Sequence, residues 1–270
     1  MKTLPKIPYC HVESELGAGG TGTVYRCINS NTGYIVAVKV LHPSRTKDPF
    51  VVKKLREEAN RYLYLEHPNI TKLVDYIEDR GMCCLVMEYV EGVTLDEYIA
   101  KVTGPICDEI LIPMFLQILD TIAYLHQNGI LHLDIKPSNI MVLNDRTIKV
   151  LDMGISAMIN ESNIKKCGSP AFMAPEQIKG ERLGYSTDIF ALGVSLFNMA
   201  TCHLPFSGAS HTEIFQKTCS EPTPLAMEFY PGINPRFQNI IERAMKKNPI
   251  ERYQTCEEFA MDLLELQYFF

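Results

Sequence analysis

The octapeptide HLDIKPSN, residues 132–139, carries Asp134, Lys136 and Asn139 at spacings of two and three, between the apolar runs 129–131 and 140–143. A carboxylate, an ammonium and an amide on one short loop suit chemistry in which a hydroxyl is aimed while negative charge is neutralised nearby. The flanks say what holds that loop. Upstream, Leu111, Phe115, Leu119, Ile122 and Leu125 recur at three and four, and Gly129 follows as a C-terminal cap, which predicts a helix. Downstream, 140–143 and 147–151 are apolar and joined by Asn144, Asp145 and Arg146, which predicts a small hairpin.

Farther out the character changes. In the first ninety residues, 23–28 and 34–41 are β-branched and apolar around the turn-like Asn29–Gly33 segment, which predicts a hairpin. Residues 49–65 have helical spacing, with Val52, Leu55, Ala59, Tyr62 and Leu65 on one stripe. His67-Pro68-Asn69 stops that helix, and two strands are expected near 70–78 and 82–89. After Glu91-Gly92 the signal turns helical, and from Asp188 onward it stays so. With no internal repeat or long linker, the switch near residue 90 reads as a hinge between two lobes of one domain.

Bulk properties exclude several classes. The 270 residues are 46% hydrophobic and 21% charged, an ordinary globular composition rather than a disordered one. A formal net charge of −6 argues against a nucleic-acid partner held by a general basic field. Nine cysteines without any C-x-x-C pair indicate neither a zinc ribbon nor a disulfide framework, and free thiols fit a reducing compartment. Residues 1–11 have no apolar signal-peptide core, and no unbroken run approaches the ~18 apolar residues of a membrane span. The expectation is a cytoplasmic protein with no membrane segment.

GAGGTGTV, residues 17–24, is weak evidence alone, because glycines gather in any tight turn. It fails the dinucleotide-binding pattern, since strand rather than helix follows and Val36-Ala37-Val38-Lys39 stands where an acid is required. It also fails the Walker pattern, because Thr23 occupies the lysine position. A bare strand–turn–strand remains, whose backbone could approach phosphates closely. Lys39 reads either as an exposed strand lysine or as a buried charge needing a partner, for which Glu58 is the candidate. Asp152 ends an apolar strand and, with Asn139, flanks the predicted hairpin, so the two could converge on one hard divalent cation.

Taken in order, GAGGTGTV, VAVK, Glu58, HLDIKPSN, DMG (152–154) and MAPE (173–176) resemble the eukaryotic-type protein kinases, over about residues 9–266. The wording GxGGxGxVY and MAPEQ resembles bacterial serine/threonine members. The resemblance implies an α+β, bilobed fold: a small antiparallel-sheet N-lobe with one main helix (about 9–88), a hinge (about 88–92) and a mostly helical C-lobe (about 93–267), together one kinase domain over 1–270. It implies ATP as phosphoryl donor, magnesium, and a protein substrate with serine or threonine.

By the same resemblance, Gly17, Gly19 and Gly22 cover the ATP phosphates, while Val24 and Ala37 line the adenine and Met141 packs beneath it. Met87 is the gatekeeper, and Glu88 and Val90 offer backbone groups to the base. Lys39 contacts the α/β-phosphates and is paired by Glu58, which is preferred over Glu57 for its nine-residue spacing to His67. Asp134 accepts or orients the hydroxyl proton, Lys136 neutralises charge, and Asn139 and Asp152 hold magnesium. Lys136 and Ser169 argue for serine/threonine specificity. Glu176 should pair with Arg252, and Asp188 should bond the catalytic loop from below.

Against the active enzyme stands a pseudokinase scaffold, which tends to lose Lys39, Asp134 or Asp152; this chain keeps all three. Met153 replaces a phenylalanine usual after the magnesium aspartate, and is expected to stack with Tyr62, Leu73 and His132. His132 reads as a structural histidine, and Cys83-Cys84 as strand core. Most relatives carry arginine where Leu133 stands, and the usual phosphothreonine position falls on Lys165. Only Ser156 and Ser162 carry hydroxyls between Asp152 and Gly168. Activity independent of activation-segment phosphorylation is therefore expected.

Overall fold

A computed structural model describes residues 4–151 and 168–267, with the side chains of Lys54, Glu58, Val102 and Gln267 excepted. Asp152, Met153, Ser156, Ser162 and Lys165, and the Glu58 side chain, therefore lie outside the described residues. The backbone divides into two compact units at Glu91/Gly92.

The first unit is built on five antiparallel strands: β1 (Cys10–Ala18), β2 (Gly22–Asn29), β3 (Ile35–Leu41), β4 (Leu73–Asp79) and β5 (Met82–Glu88), ordered β1-β2-β3-β5-β4. Alternation divides the central strands between two faces. Cys27, Val36, Val38, Cys84 and Val86 pack with Ile7 into a buried cluster on one face. Val24, Lys39 and Leu85 lie opposite one another on the other face, with Ala37 and Met87 alongside. The β2–β3 turn closes because the Asn29 side chain accepts from the Asn31 and Thr32 N–H groups, and Gly33 takes φ +73°.

Helix α1 (Pro49–Tyr62) starts on Asp48, whose carboxylate accepts from the Phe50 N–H, with Pro49 in the first turn. Leu55, Ala59, Tyr62 and Leu65 are buried as its spacing requires, although the helix stops three residues short of the expected 65. Strand β1 has no counterpart in the sequence reading. It is an edge strand, CHVESELGA, largely exposed and interrupted by two register shifts, so it lacks both the apolar run and the clean alternation that would announce it.

The second unit opens with β6 (Val93–Thr94) and α2 (Leu95–Glu97), whose capping box joins Thr94 and Glu97, and continues through a π-helical turn to Thr103. Helix α3 (Asp108–Gln127) follows, with Gly129 at φ +72° just beyond it. It is long and apolar enough to cross a membrane, yet most of it is buried inside this unit. Strands β7 (Ile140–Val142) and β8 (Ile148–Val150) form the expected hairpin and pair with β6 as β6-β7-β8. Then come α4 (Pro175–Lys179), α5 (Tyr185–Thr201), α6 (His211–Ser220), α7 (Ala226–Phe229), α8 (Pro235–Ala244) and α9 (Cys256–Gln267). Helix α5, buried almost throughout, is the core of the unit.

Candidate active site

Loop 132–139 connects α3 to β7 and is fixed from beneath by Asp188, fully buried in the first turn of α5. Its Oδ2 accepts from the His132 N–H at 2.9 Å and its Oδ1 from the Leu133 N–H at 2.8 Å. His126 adds a third contact, with Nε2 at 2.9 Å from Oδ2. A buried carboxylate is tolerable only when its lone pairs are filled this way.

His132 is fully buried and links the loop to itself. Its Nδ1 accepts from the Asp134 N–H at 3.3 Å, which leaves Nε2 to donate to the Leu151 carbonyl at 3.2 Å. His126 stacks on Tyr185 with centroids 4.5 Å apart. Both histidines therefore hold structure.

Above this base the polar side chains converge on Asp134, whose side chain is only 13% exposed. The Ser169 N–H donates to Oδ1 at 2.9 Å. On Oδ2 meet the Asn139 amide at 3.0 Å and the Lys136 ammonium at 3.0 Å. Asn139 Nδ2 also reaches the Asp134 carbonyl at 2.9 Å, and Lys136 donates to Ser169 Oγ. With its nitrogen so engaged, Asn139 keeps its amide oxygen as the hard donor that a divalent cation takes. Among the described residues no cluster of three or more His, Cys, Asp or Glu side chains could hold a metal. Asp152, its expected companion, is outside them.

Glu176 and Arg252 meet below α4 in a fully desolvated pair, each guanidinium nitrogen at 2.8 Å from one carboxylate oxygen. The remaining Arg252 donors reach the Lys246, Ser186 and Lys247 carbonyls, so all five are used. Sequence reading missed Gln177, next in the chain. It is buried, and its Nε2 donates to the Leu133 carbonyl at 3.1 Å. The only sequence signal was the fifth letter of MAPEQ.

The first unit holds the other expected residues. Lys39, at 3% exposure, is buried rather than exposed at a strand edge, opposite Val24 and Leu85. Gly17 pairs with Val24, and the Gly19 N–H bonds the Gly22 carbonyl at 2.9 Å to close the turn. A side chain at Gly17 or Gly19 would meet nothing within 4 Å, whereas one at Gly22 would stand 2.3 Å from the Val40 carbonyl oxygen. Ala37 and Met87 pair with each other, and Val90 is half-buried beyond β5. The Glu88 N–H donates to the Lys72 carbonyl and its carboxylate accepts from the Lys72 N–H, both at 2.9 Å. In the second unit Met141 is half-buried, between Thr94 and Lys149. Cys83 and Cys84 are strand core, and burial pushes the Cys84 thiol up to about 12.

Residues 10–269 match the model of the protein kinase domain family. The chain is 36% identical over 252 residues to the serine/threonine-protein kinase PrkC of Bacillus subtilis, covering 92% of this chain and 39% of PrkC. It is 31% identical over 262 residues to the serine/threonine-protein kinase PknB of Mycolicibacterium smegmatis, covering 93% and 42%. It thus spans about two fifths of the length of these curated relatives. The crystal structure of the Mycobacterium tuberculosis PknI kinase domain is similar in fold, with a TM-score of 0.79, 23% identity and 97% of both chains covered.

Proposed function

The chain belongs to the protein kinase family, and we propose that it transfers the γ-phosphoryl group of ATP to serine or threonine hydroxyls of protein substrates. The observation that carries this is the Asp134 carboxylate, held by the Ser169 N–H on one oxygen and by Asn139 and Lys136 on the other. A carboxylate gripped in this way has one orientation, so a hydroxyl brought to it is aimed and its proton has an acceptor. Lys136, beside it, would neutralise charge developing on the transferring group. Lys136 and Ser169 support serine/threonine specificity, as do the relatives' names.

Lys39, with Glu58 as its partner, and the backbone of Gly17, Gly19 and Gly22 would bind the nucleotide phosphates. Val24, Ala37 and Met141 would receive the adenine, with Glu88 and Val90 as backbone contacts. Asn139 and Asp152 would hold magnesium, which when bound offsets phosphate charge. We read residues 1–270 as one kinase domain, and the free thiols among the described residues support a cytoplasmic setting. With leucine at 133, the residue before Asp134 offers no cation for an activation-segment phosphate, and Lys136 is already engaged by Asp134 and Ser169, which supports activity without activation-segment phosphorylation.

The test is incubation of the purified protein with labelled ATP, magnesium and a generic serine/threonine substrate, beside Asp134→Asn. Transfer should fall by about 10²–10⁴-fold in the variant, and phosphatase treatment should leave the wild-type rate unchanged. Undiminished transfer by Asp134→Asn would remove that residue from the mechanism. A phosphatase-sensitive rate would refute the reading of Leu133.

A further inference from the structure

Leu133 has φ +59°, in the left-handed region, where a non-glycine residue is strained by about 1–2 kcal/mol. Such a conformation persists only when its surroundings hold it. Asp188 takes the Leu133 N–H, but that bond does not fix the next peptide plane, the one that ends in Asp134. The far side of that plane is the Leu133 carbonyl, and Gln177 Nε2 donates to it at 3.1 Å. Gln177 is 3% exposed, and its Oε1 accepts from the Ala174 N–H at 3.2 Å at the start of α4. The amide is thus anchored at one end and reaches the loop with the other. Gly168, at φ +108°, closes the same carbonyl from another side: a Cβ there would lie 2.9 Å from it.

We propose that Gln177 is a positioning residue for Asp134. The Leu133–Asp134 peptide is bonded at both ends, by Gln177 on its oxygen and by His132 Nδ1 on its N–H. Loss of the Gln177 bond leaves a half-buried carbonyl unpaired on a strained residue, and the plane relaxes by rotating toward negative φ. Asp134 departs from that plane, so its carboxylate is carried away from the Ser169 N–H. With Leu133 in place of a cationic residue, a neutral amide ties the loop to residues 168–177, and this tie needs no phosphate. Its effect on rate rests on the kinase reading above; the hold on the peptide does not.

Two variants test it. Gln177→Met is near in size and removes both bonds. Gln177→Glu keeps an acceptor for Ala174 but turns an oxygen toward the Leu133 carbonyl, which can be bonded only when the carboxyl is protonated. In Gln177→Met, kcat should fall about tenfold with KM for ATP within about twofold. Amide hydrogen exchange of a peptide spanning 130–138 should quicken, at a temperature where circular dichroism reports the native signal. In Gln177→Glu, activity relative to wild type should recover as pH falls from 8 to 6. Unchanged exchange in the Met variant overturns the proposal whatever the activity. So does an activity loss that merely follows the fraction unfolded, or a Glu-variant pH profile parallel to wild type. Faster loop exchange in a chain whose wild type transfers no phosphate would support the tie and sink the kinase reading.

Discussion

The turn at Gly17–Gly22 and the loop at 132–139, both given parts in the reaction proposed above, are built in opposite ways. In the loop, His132, Asp134, Lys136 and Asn139 all bond to protein partners, and the backbone is tied down by Asp188 and Gln177. In the turn, the side-chain space at Gly17, Gly19 and Gly20 is empty to 4 Å. The loop's groups must be aimed, and aiming charged groups away from water requires saturation with partners. The turn needs only bare backbone, and omission of side chains supplies it at the expense of conformational entropy. The loop should therefore be fragile to loss of partners, and the turn to gain of atoms.

The largest effect should come from the saturated side. Arg252→Met leaves the Glu176 carboxylate buried without its cation, and loss of one partner from such a pair costs about 3–5 kcal/mol. Urea unfolding followed by circular dichroism should register that loss, and adding Glu176→Gln should recover part of it. A cost under about 1 kcal/mol would mean that the second unit does not depend on its buried charges.

The turn can be probed by the contrast between two alanines. Gly22→Ala forces a Cβ against the Val40 carbonyl at 2.3 Å, backbone that cannot swing aside, and should destabilise by about 1–3 kcal/mol. Gly19→Ala meets nothing and should stay within about 0.5 kcal/mol while raising KM for ATP. Thermal melts and ATP titrations of the pair separate fold from access. Equal destabilisation of both would break the view of the turn as open.

The two regions also differed in how much of them could be read in advance. The loop's residue types announced a polar cluster, and Asp134, Lys136 and Asn139 do meet there. The bonds Glu176–Arg252 and Asp188 to the loop backbone followed from the family pattern and are present. Gln177 was invisible because its partner is a carbonyl, which has no letter in the sequence. The positive φ of Leu133 was hidden too, since leucine ordinarily avoids it and the bonds flanking it, to Asp188 and Gln177, run to its backbone. In the first unit the central strands declared themselves through β-branched residues. Strand β1 did not, since an exposed edge strand is chosen for polarity as much as for sheet formation.

Lys247 tests the saturation rule from the other direction, with a smaller effect. Its Nζ is buried without a hydrogen-bond partner among the described residues and lies 4.0 Å from the centre of the Phe206 ring. Burial, aided by the nearby Arg252 charge and opposed by Cys219 and Glu221, lowers it from 10.5 to about 8. Around neutral pH the ammonium is charged in both folded and unfolded chains, so the folded state bears the whole desolvation penalty, offset in part by the Phe206 face. As pH rises from about 8 toward 10.5, the folded chain gives up this proton before the unfolded one, and the penalty fades. Lys247→Met should therefore raise Tm by a few degrees (~2–4 °C) at pH 7, and this advantage should shrink steadily between pH 8 and 10. An advantage that is constant with pH would trace the gain to packing alone. A lower Tm at pH 7 would mean that the aromatic face more than repays the buried charge, and that a cation in this unit can be satisfied without a single hydrogen bond.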